Sequence, residues 1–219
     1  MKNLVYVTSA INKFDANESE VSHRFQETLK TCYSIKKYVP NVTIIMHELS
    51  PVPIDEFYFY VLEQLVDQIK ISYDHYEYEN NKLINYSGTK GEIIGSQIFY
   101  NDPYIREYCK KFNRIIKVSG RYYLTEKFNI NNHVDPNKFT FKRKWWYEPG
   151  FLRDTRCWSM PVQYIDKYLA ILPLALEKHE TTNRDIEHLM AELLTDELVH
   201  EVDQIGVAGM TGSGYFIHD

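Results

Sequence analysis

Two rhythms of apolar and polar positions alternate along the first 120 residues of this chain. Short runs rich in Val and Ile mark strands at residues 4–8, 42–46 and 115–118. Between the first two the rhythm lengthens. Val21, Phe25, Leu29, Cys32 and Ile35 recur at steps of three and four, which predicts a helix over 17–38 with one buried face. Asn17 and Glu20 supply its cap and capping partner, and Pro40-Asn41 ends it. A second amphipathic helix is expected over 55–69, through Phe57, Val61, Leu65 and Ile69, and residues 69–73 read as a third short strand. Residues 74–90 are polar and irregular. Helical stretches follow at 93–100 and 103–111, the latter opened by Asp102-Pro103.

Beyond residue 124 the pattern weakens. Residues 139–146 and 155–160 predict strands, and 161–178 a helix broken near Pro173. Residues 183–202 predict one long helix, with Ile186, Leu189, Met190, Leu193 and Leu198 facing inward, and the tail is rich in glycine. There is no internal repeat and no linker. At 219 residues the chain fits a single domain. Alternating strands and helices imply an α/β fold, with a mainly parallel central sheet flanked by helices and ligands at the carboxyl ends of the strands. That topology lines up Thr8-Ser9, His47-Glu48, Tyr73-Asp74 and Ser119-Gly120-Arg121 along one sheet edge.

Composition narrows the chemistry. A net charge of −5 does not favour nucleic acid or an anionic membrane surface, so an anionic ligand must be held by local groups. Cys32, Cys109 and Cys157 form no Cys-x-x-Cys pair and read as core thiols. The longest apolar stretch, 169–176, contains Pro173 and is too short for a membrane span, so the expected location is the cytoplasm.

Ser119-Gly120-Arg121 is the most informative trio. It ends a buried strand with a small polar residue, a bare backbone and a fixed cation. Glycine lets a ligand approach the main chain, and arginine binds phosphate bidentately. The competing reading is a glycine bulge with Arg121 in solvent.

Lys117 to Tyr122, Lys-x-Ser-Gly-Arg-Tyr, resembles a small group of viral and bacterial sugar transferases of capsule and virion glycans. Residues 4–10, the helix around Arg24-Phe25 and Ser34-Ile35, Thr155-Arg156, the run from Ile186 to Leu189, and Ile205-Gly206-Val207 fit the same group. The resemblance implies the Rossmann-like glycosyltransferase A-type fold, with a nucleotide-sugar-binding half over about 1–125 and an acceptor-binding half over about 126–219. It implies a nucleotide-sugar donor, UDP- or GDP-linked first, a glycan or glycoprotein acceptor, and host cytoplasm if the chain is viral. It also implies site residues. Thr8, Ser9, Arg24, Glu48, Asp74, Lys90, Lys117, Ser119, Gly120 and Arg121 would face the donor, with Lys90, Lys117 and Arg121 as cations for the departing diphosphate. Glu187 would be the general base and Asp154 its rival; Trp145, Trp146, Arg156 and His188 would meet the acceptor. One of the two tryptophans is expected in the core and the other as a stacking platform, and Glu48 reads somewhat better as an exposed loop carboxylate than as a base or ribose contact.

The chain departs from the fold's usual pattern in one respect. Ser-Gly-Arg stands where Asp-x-Asp would hold a divalent metal, so Mn²⁺ or Mg²⁺ would need ligands from the acidic 74–79 segment or His188. Two function classes follow: a nucleotide-sugar-dependent glycosyltransferase, or a nucleotide- or carbohydrate-binding module without turnover. A nucleotidyltransferase would want a glycine-rich loop after the first strand, and residues 9–24 contain no glycine.

Overall fold

The computed structural model describes residues 2–13, 16–72, 88–211 and 214–219, with 78–79 and 82–83 as backbone only. In chain order the elements are β1 (Asn3–Ser9), α1 (Glu18–Tyr38), β2 (Val42–Glu48), α2 (Glu56–Glu63), β3 (Gln68–Ile71), β4 (Tyr78–Glu79), β5 (Lys82–Leu83), α3 (Gly88–Asn101), α4 (Pro103–Cys109), β6 (Arg114–Ser119) and β7 (Tyr122–Leu124). They continue with β8 (Phe139–Lys142), β9 (Trp145–Tyr147), β10 (Gly150–Leu152), β11 (Cys157–Pro161), α5 (Ile165–Thr182), α6 (Ile186–Leu193), β12 (Val199–Val202), β13 (Val207–Met210) and β14 (Phe216–His218).

The central sheet has seven strands in the order β12-β8-β11-β6-β1-β2-β3. β3, β2, β1 and β6 run parallel, β11 runs against both of its neighbours, and β12 is parallel to β8. This is the expected α/β architecture, a mainly parallel sheet between helices. The middle of β1, Leu4 to Val7, is apolar on both faces because helices cover both. Leu4 and Tyr6 join Phe99, Tyr100, Phe139 and Trp158 on the side of α3 to α6. Val5 and Val7 join Phe25, Ile35 and Met46 on the side of α1.

Local chemistry sets the element starts. Asn17 accepts from Glu20 N at 3.0 Å, and Glu20 Oε2 accepts from Asn17 N at 3.0 Å, a complete capping box on α1. Asp102 Oδ1 accepts from Tyr104 N and Ile105 N at 2.9 and 3.2 Å, with Pro103 in the first turn of α4.

Four expectations are corrected. The helix predicted over 55–69 ends at Glu63, because Ile69 pairs with Met46 in the sheet. α5 passes unbroken through Pro173, which is exposed, so the bond it forfeits faces water. Residues 139–146 form two strands instead of one. The long helix over 183–202 stops at Leu193, and Val199 to Val202 become β12 alongside β8. The glycine-rich tail, among its described residues, supplies β13 and β14, and β13 pairs with β7. Gly206 makes this turn possible: its φ is +74°, and a Cβ there would lie 2.2 Å from Phe128 N.

Candidate active site

From β1 the chain builds outward through β2 and β3, then returns to the other side of β1 to form β6. The carboxyl ends of β1 and β6 therefore flank the switch point, where open α/β sheets bind ligands. Thr8 and Ser119 are register partners there. Gly120 N donates to Thr8 O at 2.7 Å, and a Cβ on Gly120 would sit 2.9 Å from that same oxygen. Glycine is needed at Gly120 for this close approach to the end of β1. Ser119 N donates to Arg156 O at 2.8 Å, which draws in the segment before β11. A cavity of about 630 Å³ opens over this junction, and its lining includes Thr8, Ser9, Arg24, Ser119, Gly120, Arg121, Trp145, Asp154, Arg156 and Glu187. These ten are sequence candidates that the fold brings together; Lys13, Thr28, Glu92, Tyr122 and Asp185 line the same cavity and were not among them.

One cluster in the cavity lining is cationic. Arg121 follows β6, Arg24 comes from α1, and Lys13 comes from the loop after β1. Arg24 Nη1 donates to Ala10 O at 3.0 Å, which fixes its guanidinium at the sheet edge. Burial, and then the neighbouring Arg121, push the Arg24 pKa down. Burial, Arg24 and Arg121, in that order, lower that of Lys13. Glu27, Glu20 and Glu48, in that order, pull the other way on Arg24, yet among the described residues none of the three cations forms a salt bridge. Like charges gathered this closely suit a diphosphate. Sequence reasoning missed Lys13, whose only signal was a lone cation in a polar loop.

A second cluster in the lining is acidic. Glu187, in the first turn of α6, accepts from Thr155 Oγ1 at 2.7 Å. Burial first, and then Glu92, raise its carboxyl above the ordinary range. Asp185 and Glu92 line the same wall and were not foreseen. Asp185 occupies the N-cap position of α6 without capping it, and Ile186 N donates instead to Thr89 Oγ1, at 3.1 Å, on α3. Asp185 therefore lines the cavity without its carboxylate being engaged in a cap.

Asp154 is buried and tied to Arg156: Oδ1 accepts from Arg156 Nε at 2.7 Å and N at 3.0 Å, and Oδ2 takes Nη2. Burial works against the Arg156 charge, but Asp154 holds its pKa up. Removing one member of a buried pair strands the other. Asp154→Asn is therefore expected to lower unfolding free energy by about 3–5 kcal/mol, read as an earlier denaturant midpoint at unchanged slope.

Several predicted contacts fall elsewhere. Glu48 is fully buried, neither a loop carboxylate nor a cavity residue; its Oε1 accepts from Ile11 N and Ser50 N at 3.1 and 3.0 Å, and burial raises its pKa. It braces the loops after β1 and β2. Lys117 is buried under the floor, donating to Glu92, to Ser119 Oγ at 2.7 Å and to Thr155 O at 2.7 Å. Lys90 pairs with Glu180 at 3.0 Å outside the cavity, which its neighbours Gly88, Thr89 and Gly91 reach instead. Neither tryptophan of the 145–146 pair is core: Trp145 is 38% exposed and Trp146 63%, and strand alternation turns Trp146 away from the cavity. Trp158 is the buried one. His188 is buried, its Nε2 facing Tyr147 O at 3.3 Å rather than an acceptor. Asp74 lies outside the described residues.

The A-type fold implies a divalent metal. Here the strand end carries Arg121, and among the described residues no three His, Cys, Asp or Glu side chains gather to hold one. Of the ligands the sequence offers a metal, the side chains of the 74–79 segment lie outside the described residues, and His188 turns its Nε2 to Tyr147 O. Among the described residues, no helix is long and apolar enough to cross a membrane.

No family model matches the chain, and no curated protein does. Among solved structures, the glycosyltransferase GlyE of Streptococcus pneumoniae TIGR4 shares the fold, with a TM-score of 0.55 and 8% identity over 92% of this chain. The match spans 45% of GlyE, less than half of that protein's length. At this identity the likeness is one of fold: the chain has a glycosyltransferase-like α/β architecture.

Proposed function

We propose that this cavity binds a nucleotide sugar and transfers its sugar to a hydroxyl of a glycan acceptor. The observation that carries the reading is two charge clusters lining one cavity: Lys13, Arg24 and Arg121, which act on one another, and the Glu187 carboxylate beside Glu92. In this reading Arg121, Arg24 and Lys13 hold the diphosphate, and Thr8, Ser9, Ser119 and Gly120 present polar groups and close-lying backbone to the nucleotide. Asp185 accepts from hydroxyls of the transferred sugar. Glu187 takes the acceptor's hydroxyl proton as the acceptor oxygen bonds to the anomeric carbon. The bond from that carbon to the diphosphate oxygen breaks, and its electron pair leaves with the diphosphate. Charge building there is met by the cations, which supply without a metal what such a transition state needs. Trp145 and Arg156 line the acceptor's approach. A virion or surface glycan as the acceptor rests on the sequence resemblance.

The second reading, a binding module without turnover, is favoured by the missing Asp-x-Asp. Calorimetry with uridine, guanosine, adenosine and thymidine diphosphates, with and without Mn²⁺, tests the shared premise: one of them binds without metal. At about 100 times its dissociation constant it should stabilise the fold by roughly 2.7 kcal/mol, read as a thermal shift. No binding by any of the four would sink both readings. Acceptor-dependent release of diphosphate from the matching nucleotide sugar separates transferase from module.

A further inference from the structure

Two aromatic residues on one face of the β9–β10 ribbon lead out of the cavity. Side chains alternate along a strand, so Trp145 and Tyr147 share a face and Trp146 takes the other. Trp145 lines the cavity, and Tyr147 stands two residues further along the same strand, a step of about 6.6 Å, with 65% of its surface exposed. Its cross-strand partner is Gly150, which offers no side chain. A Cβ there would meet only His188 Cδ2, at 3.9 Å. The surface beside the Tyr147 ring is thus open at Gly150, two residues along the strand from the cavity-lining Trp145.

His188 Nε2 faces Tyr147 O at 3.3 Å, so the ribbon is tied to the helix that carries Glu187. Platform and base are held by one element. On the opposite face Trp146 packs edge-on against Phe151, with ring centroids 5.3 Å apart. Those two rings serve each other.

We propose that Tyr147 forms an outer subsite for a second sugar unit, so that the acceptor is an oligosaccharide chain rather than a single sugar. The inference rests on the glycosyl-transfer reading of the cavity and names its acceptor class. A sugar ring presents an apolar face of C–H groups to an aromatic plane, and the step from Trp145 to Tyr147 is about one pyranose unit. The face that Tyr147 shares with the cavity-lining Trp145 selects a glycan over a lipid surface, which would need the aromatic rings on the outermost face.

The test is direct glycan binding, which needs no donor. Glucose, galactose, mannose and N-acetylglucosamine are titrated beside their α- and β-linked di- and trisaccharides, using ligand-observed NMR. At least one disaccharide should bind roughly 3- to 10-fold more tightly than its monosaccharide, the worth of one aromatic contact. Tyr147→Ala should erase that gain, as should Gly150→Val, which fills the open surface beside the ring. Tyr147→Phe and Trp146→Ala should keep it. Equal binding of mono- and disaccharides, no binding of any glycan, or an equal loss in Trp146→Ala overturns the subsite. Tyr147-dependent binding to anionic phospholipid vesicles without chain-length preference also overturns it, in favour of a membrane surface. Donor turnover in the same preparations reports separately on the transfer reading, so a chain-length effect without turnover keeps the subsite and removes the enzyme.

Discussion

Replacing Glu187 by Gln lowers sugar transfer by about 10²–10⁴-fold and leaves nucleoside diphosphate affinity almost unchanged. The amide keeps the helix, the volume and the oxygen that accepts from Thr155 Oγ1, but it cannot take a proton. A base that touches only the acceptor is silent in donor binding, so the two measurements separate by design. The pH profile gives a second signature. Burial and then Glu92 raise the Glu187 carboxyl, so the ionised form needed for catalysis appears only above the usual carboxylate range. The acid limb of the rate profile should lie there and vanish in the variant.

Stability supplies a third. A raised folded-state pKa means that the folded protein holds this proton more tightly than the unfolded chain does. Ionising Glu187 therefore costs stability as pH rises through that value. At neutral pH Glu187→Gln should be as stable as the parent or slightly more so, while turnover collapses. Normal turnover in Glu187→Gln would move the base elsewhere, with Asp185 first in line because its carboxylate is spared from capping. Asp154 is the weaker rival, since Arg156 already takes both of its oxygens.

What the sequence made legible is local. The β-branched runs of β1, β2 and β6 and the capping pairs of α1 and α4 depend on neighbours within a few residues, and they appear where expected. Ser119-Gly120-Arg121 was legible for the same reason: a bare backbone and a cation after a buried run say what a strand end is for. What failed depends on partners far along the chain. Glu48 and Glu187 are both carboxylates beside apolar residues, yet one braces two loops and the other faces the cavity. Nothing near either in sequence distinguishes them. Lys117 looked like a phosphate ligand until Glu92, 25 residues earlier, claimed it. The stretch 194–202 carries helical spacing, but Val199 and Val202 are β-branched and β8 offers an open edge, so tertiary pairing overrides the local pattern.

Arg121 is the position where charge and geometry are most readily separated. Arg121→Ala should lower nucleoside diphosphate affinity by about 10- to 100-fold, the equivalent of 1.5–3 kcal/mol of charge-assisted hydrogen bonding. Arg121→Lys keeps the charge but loses the planar fork, so it should still bind measurably less tightly than the parent. The ligand-free protein should respond in the opposite sense. Burial and the neighbouring Arg121 lower the Arg24 pKa, and Lys13 lies within the same field. Removing the third positive charge relieves that repulsion, so Arg121→Ala should unfold no earlier than the parent without ligand and clearly earlier with diphosphate bound. Calorimetry and thermal unfolding, each at low and high salt, read both effects, because screening weakens repulsion and ligand attraction together. An Arg121→Lys variant with parental affinity and turnover would reduce this arginine to a surface charge, and the cationic cluster would then rest on Lys13 and Arg24.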